Sequence, residues 1–530
     1  MKNYNFNKKE EENKKCKTTC ECSKKFVGLL NEIVSELPKK VRRERMKIMR
    51  NFKRMLAVTL TLMMITLAGC SGNKTSESSA VGTKEATKEA TTEATTEQNN
   101  KASEDVYQVH FYAWTNPDNV KPLEEAFNKE YAGKYQFVYE KLADAKTLTI
   151  NTALASGEKI DVMTQSSGFD QRQRSDGGAY MGLKQFFDKE GWDYADTLGD
   201  AIEETQNING DYYAIPYCNN INMVYFNKKM FDAAGVEYPK TGWTWQDFRD
   251  TAAKLTSGEG ANKVYGAMID AATPGGDYYW DLIARQKIGN FAYYNEDKTA
   301  STFDSPEMKE SLQFFVDMAL KDKSIVPLDE INALKYTDEV TAMQGLYNGK
   351  FAMWIEPVYG NLYLKDSYGE VPEGTDIGMV NMPTLDGGQT ITTCYTSTAS
   401  IPSNVENPEA AWALLKFITI DHPELFAGPK GMNSAVEYKT EEEIKSFNEL
   451  IFDHGNRPGL DYDMAMKTMS EPRTLVSKDN TLIQGQAKIT EVMDAVMTLV
   501  FNGEMSPDEG LAELKTKVDA AIKEDLASMK

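Results

Sequence analysis

Three histidines, His110, His422 and His454, lie far apart along the 530-residue chain, outside any spacing that would set two of them on one zinc ion. No Gly-x-Ser-x-Gly, His-Glu-x-x-His, Walker or Gly-x-Gly-x-x-Gly segment occurs, and no EF-hand loop. No catalytic residue, metal ligand or cofactor is therefore expected. Paired carboxylates for glycoside hydrolysis stay open, because only their separation in space decides that chemistry. Of six cysteines, Cys16, Cys20 and Cys22 form a C-x3-C-x-C run without a fourth ligand at a usual spacing. Cys218 and Cys394 fit either one bridge or two buried thiols. The remaining one, Cys70, ends an apolar run.

That run has the layout of an export signal. Lys47, Arg50, Lys53 and Arg54 form a basic stretch, Met55 to Leu67 an apolar one, and Leu67-Ala68-Gly69-Cys70 a small-residue ending. The apolar stretch falls short of the ~20 residues that span a bilayer, so it reads as a signal peptide. The Leu-Ala-Gly-Cys ending resembles the lipobox of bacterial lipoproteins, which implies cleavage before Cys70 and acylation of its thiol. The expected location is the extracellular face of the cell membrane, held by lipid. Residues 46–69 are then the signal, and 1–45 an extended or non-native N-terminus with translation starting at Met46 or Met49.

From Ser71 to Asp105 the chain is rich in Ser, Thr, Glu, Lys and Ala and nearly free of large apolar residues, so 70–105 reads as a flexible tether. The formal net charge is −21, with the excess acid beyond Cys70, which argues against nucleic acid as a partner. Folded structure is expected from Val106. Strands are read at Tyr107–Phe111, Phe137–Tyr139, Ile160–Thr164, Met223–Phe226, Tyr265–Ile269, Phe351–Ile355 and Ile377–Met382. Helices are read at Ala143–Ser156, Thr244–Leu255, Pro306–Leu320, Pro408–Ile420 and from Pro507 onward. The alternation predicts an α/β chain with parallel pairing. Its length exceeds what one hydrophobic core serves, so two lobes are expected.

Five segments then carry a resemblance. They are Gly210, Tyr213 and Pro216; Tyr225-Phe226-Asn227-Lys228 followed by Thr244-Trp245-Gln246-Asp247-Phe248; Asn348-Gly349-Lys350-Phe351-Ala352-Met353; Ile377 to Pro383; and Asn407-Pro408-Glu409-Ala410-Ala411. In this order they resemble the extracellular solute-binding proteins of ABC importers, the family that includes maltose-binding protein. The resemblance implies a two-lobed, type II periplasmic-binding-protein-like fold with ligand in the cleft. Lobe one would hold 106–219 and 384–430, lobe two 220–383 and 431–530. Hinges would lie near Cys218–Asn222 and Pro383, and closure would be a hinge motion.

A sugar presents apolar faces and a rim of hydroxyls, so its site needs aromatic rings, amides and carboxylates. At the positions where the family meets ligand stand Trp114 and Asn116; Gln165, Ser166 and Asp170; Asn219 and Asn220; Tyr278, Tyr279 and Trp280; Trp354, Glu356 and Tyr359; and Tyr395 and Ser397. Trp243, Trp245 and Trp412 are expected to pack, and Arg172–Arg174 to be solvated. The expected activity is non-enzymatic capture of a mono- or oligosaccharide by a monomer, which delivers it to membrane permease subunits. A surface carbohydrate sensor or adhesin of the same fold, and an extracellular hydrolase, are the alternatives.

Overall fold

The computed structural model describes residues 106–528, apart from 145–146, 167–168, 200–201, 204–205, 271–278, 291, 437, 439 and 479–485. The export signal, Cys70, the tether and Tyr278 lie outside the described residues.

The described strands are β1 (Tyr107–Ala113), β2 (Tyr135–Lys141), β3 (Val162–Ser166), β4 (Ile215–Asn227), β5 (Tyr265–Met268), β6 (Phe351–Pro357), β7 (Ile377–Asn381), β8 (Ile391–Ser400), β9 (Asn433–Ser434) and β10 (Thr474–Ser477). They run in the order β2-β1-β3-β8-β4-β6-β5, with β10 beside β8 and with β7 and β9 beside β4. Pairing is parallel between β1 and both β2 and β3, and between β5 and β6. It is antiparallel where β8 meets β3 and β4. The sheet is therefore mixed rather than parallel throughout, because β8 enters between β3 and β4 running antiparallel to both.

β4 is the crossing strand. Ile215 to Ile221 pair with β8, whereas Asn222 to Asn227 pair with β6 and β7. All thirteen of its residues are buried, so its asparagines must find partners inside the protein. The return crossing joins β7 to β8 and is pinned by Gln286 on the helix Leu282–Ile288. The Gln286 Nε2 donates to the carbonyls of Pro383 (2.8 Å) and Ile391 (2.7 Å), and its Oε1 accepts from Trp245 Nε1 at 2.8 Å.

Helices cover the sheets for local reasons. Thr244 and Asp247 close a capping box that starts Trp245–Leu255, whose buried face is Trp245, Phe248, Ala252 and Leu255. A Cβ on Gly266 would meet the Ala252 carbonyl oxygen at 1.9 Å, so this helix seats on β5 only because that strand carries no side chain there. Asn407 caps Pro408–Lys416, and Ser506 with Glu509 caps Pro507–Ser528. One buried cluster gathers Phe111, Phe127, Phe417 and Phe426, and a second Phe231, Phe248, Phe315 and Val518. Each core is thus assembled from distant stretches of chain, as two lobes built from interleaved segments require. Trp243, Trp245 and Trp412 pack as expected, Trp412 stacking on Phe186 at 4.8 Å. Arg174 does not meet its expectation: it is buried, bonded to Asn151 (2.7 Å) and Gln165 (3.2 Å).

Candidate ligand-binding site

The site is built around the point where β4 changes sheets. Strand alternation puts Cys218, Asn220 and Asn222 on one face and Asn219 on the other. Asn220 Nδ2 donates to Ser397 Oγ at 3.3 Å, and Cys218 Sγ lies 3.7 Å from Asn220 Oδ1. One step further, Asn222 Nδ2 donates to Thr393 Oγ1 at 2.6 Å, while Tyr279 Oη lies 3.5 Å from Asn222 Oδ1. Asn220 and Asn222 thus both donate to hydroxyls of β8, and Tyr279 approaches Asn222 from outside the sheet.

Aromatic rings frame this row. Tyr395 stands opposite Asn220 in the β4–β8 register, and its hydroxyl lies 2.9 Å from that of Tyr359, which follows β6. Tyr363 meets Tyr359 edge to face at 6.3 Å. Burial, with the nearby Tyr395 and Glu356, drives the Tyr359 hydroxyl well above its ordinary range, so it stays protonated and can donate. Glu356 is buried on β6 opposite Met223. Lys478 sits 4.7 Å from the ring centre of Tyr279. Trp114, half-buried, follows β1, and Lys430 lies 5.7 Å from its ring centre.

Lys430 is buried beneath the rings. It donates to Tyr217 Oη at 3.2 Å and faces the rings of Tyr217 and Phe426, both at 4.6 Å. No carboxylate pairs with it among the described residues, and burial pushes its amine down to about 8. Cys218 and Cys394 are free thiols, which settles the choice left open by the sequence.

The other expected site residues are dispersed. Gln165 is fully engaged by the protein: it donates to Ser400 Oγ at 2.6 Å and accepts from Tyr180 and Arg174. Asn116 is exposed and caps the turn at Pro117, accepting from the Asp118 amide at 3.1 Å. Asn219 is buried beside Asn433 on β9, on the face away from Asn220. Ser166 ends β3 opposite Ser397, and Asp170 falls in the helix Phe169–Asp176. Trp280 and Trp354 are closed into the cores at 0% and 2% exposure. Trp354 packs in the first buried cluster and Trp280 in the second. The sequence reading missed Asn222, Thr393, Tyr217, Lys430 and Lys478. Asn222 carried a usable signal, since it stands two residues from Asn220 in a strand; the others carried none.

Comparison with known proteins bears on the family and the fold. The sequence profile of bacterial extracellular solute-binding proteins matches residues 114–420, more than half of the chain. An ABC substrate-binding protein of Listeria monocytogenes, solved with cycloalternan, superposes with a TM-score of 0.61 at 19% identity, covering 78% of this chain and 99% of that one. A sugar transporter protein of Rhizobium etli, solved in an open conformation, superposes with a TM-score of 0.61 at 23% identity, covering 78% of this chain and 100% of that one. A Brucella abortus protein described only as a binding protein is 24% identical over 325 residues, 60% of this chain and 69% of that protein. These likenesses establish the two-lobed α/β solute-binding fold.

Proposed function

Since the chain belongs to the bacterial extracellular solute-binding proteins, we propose that it captures a mono- or oligosaccharide between its lobes and hands it to the permease subunits of an ABC importer. The observation that carries this reading is the row of Asn220, Asn222, Tyr279, Tyr359 and Tyr395 at the sheet switch, which supplies paired hydrogen-bonding groups flanked by rings. Such a row suits hydroxyls, and its rings suit the apolar face of a sugar. Closure about β4 and the Pro383–Ile391 crossing would bury the solute, and the closed form would be what the permease recognises. Solved structures of similar fold include proteins described as bound to maltose, tagatose and mannotriose. Acylation at Cys70 would hold the protein on the outer face of the membrane.

A thermal-shift screen against mono- and oligosaccharides tests the reading, since a ligand that binds only the folded state raises the melting temperature. At least one sugar should give a saturable rise without being consumed. Turnover of the sugar would favour the hydrolase instead, and silence across the panel would exclude sugar capture. Replacing Cys70 by Ser should release the protein from the membrane fraction; retention there would rule out the lipid anchor.

A further inference from the structure

A second cavity, of about 330 Å³, opens among the helices Glu441–Ile451 and Tyr462–Ser470 and the strands β9 and β10. None of Asn220, Tyr279, Tyr359 or Tyr395 lines it. Its volume is in the range of small-molecule sites and would hold roughly ten waters. Its walls are chemically uneven. Ile221, Phe447 and Leu475 give apolar surface, while Arg473, Asn448 and Asn433 give polar groups.

The polar groups are underused. Asn448 is 5% exposed, and its Nδ2 has no acceptor. The buried Asn433 Oδ1 has no donor. Arg473 spends Nη2 on the carbonyls of Thr468 (2.6 Å) and Glu471 (3.1 Å), and Nη1 lies 3.6 Å from Met469 Sδ. Its Nε donates to none of the described residues, and no carboxylate pairs with it. The neighbouring Glu471 attracts it without direct contact, its carboxylate accepting from Asn381 Nδ2 at 2.9 Å and from Thr241. Desolvation draws the Arg473 guanidinium down to about 10, against the opposing attraction of Glu471. The Arg473 Nε, on a partly buried side chain, and the buried Asn448 Nδ2 thus stand at one cavity without a protein acceptor.

We propose that this cavity is a binding site for a small hydroxycarboxylate, distinct from the site on the other face of β4. The carboxylate would accept from Arg473 Nε and Asn448 Nδ2, the hydroxyl would donate to Asn433 Oδ1, and the carbon body would lie on Ile221, Phe447 and Leu475. A monoanion fits better than a phosphate, since the one guanidinium is already offset in part by the Glu471 carboxylate beside it. Ile221 is the last β4 residue paired with β8, and Leu475 lies on β10 beside β8. Occupancy therefore bears on the crossing strands, and by linkage it shifts affinity in the main site by the factor with which that site shifts it.

Isothermal titration calorimetry of the full folded domain with sodium lactate, 2-hydroxybutyrate and mandelate tests this, with lactamide as the uncharged control. Saturable binding of at least one acid is expected, none of lactamide, and a loss of about tenfold or more in Arg473→Gln. If Arg473→Gln does not fold, Asn448→Asp, which sets a like charge against the carboxylate, should give the same loss. No saturable heat with any acid, or equal binding by wild type and folded variants, would mean a solvent-filled cavity and overturn the proposal. The readout does not depend on whether the main site takes a sugar.

Discussion

The hydroxyls of Tyr359 and Tyr395 meet at 2.9 Å, joining the segment after β6 to the strand β8 of the other sheet. This contact spans the two sheets beside the β4 switch. Under the proposed sugar capture it would tie ligand recognition to lobe position, because a sugar hydroxyl inserted between the two phenols would touch both halves at once.

Tyr395→Phe should therefore weaken sugar binding about 5- to 10-fold, the worth of roughly one hydrogen bond. The melting temperature of the free protein should move little, since the ring and its packing remain. Titration of intrinsic fluorescence with the best sugar of the screen checks this, and unchanged affinity would remove Tyr395 from the site.

Trp280 behaves as core. Its ring is fully buried, and Ser311 Oγ donates to its carbonyl at 2.6 Å. Trp280→Ala should cost about 3–5 kcal/mol in urea unfolding, through the cavity it leaves. Trp280→Phe should cost much less, because it also removes an indole N–H that is buried without an acceptor. A stable Trp280→Ala that has lost only sugar binding would return Trp280 to the ligand.

Lys430 gives a pH signature. Its buried amine titrates near 8, below its value in the unfolded chain. Between these two values the unfolded state binds more protons, so stability rises with pH there. Lys430→Met should stabilise the protein at pH 7 by about 1–3 kcal/mol, and the gain should shrink from pH 8 toward about 10.4. Tyr217 and Cys218, the titratable groups facing it, are both pushed up by burial and stay neutral over the lower part of that window. Unfolding curves at several pH values decide the matter; a pH-independent difference would mean that Lys430 is already neutral at pH 7.

Gln286 pins the return crossing. Gln286→Leu would leave the Pro383 and Ile391 carbonyls and the Trp245 indole N–H without their present partner, an expected loss of roughly 2–4 kcal/mol. Hydrogen exchange should show the increase in opening at residues 382–391. Protection there equal to wild type would mean that the crossing is held by other contacts.

Elements with their own local chemistry were legible. The Thr244 box, the Asn407 cap and the alternating Tyr107–Phe111 strand each depend on neighbours within a few residues, and each forms where expected. β8 was not foreseen, because its Thr- and Ser-rich run, Ile391–Ser400, lacks apolar alternation and is fixed by β3, β4 and β10 on either side. β4 was read only at its apolar end, Met223–Phe226, since the asparagines before it look like a turn until both neighbouring strands are in place.

The sequence by itself determined the family, the α/β alternation and the supply of rings and amides, because these rest on local patterns and on segment order. Only the tertiary structure decided which of those groups meet. Asn220, Tyr359 and Tyr395 converge while Gln165 and Trp280 are absorbed into the protein, and Lys430 enters beneath Trp114 from a stretch that showed no signal. Burial and pairing across hundreds of residues set those outcomes, and no window of neighbouring residues encodes them.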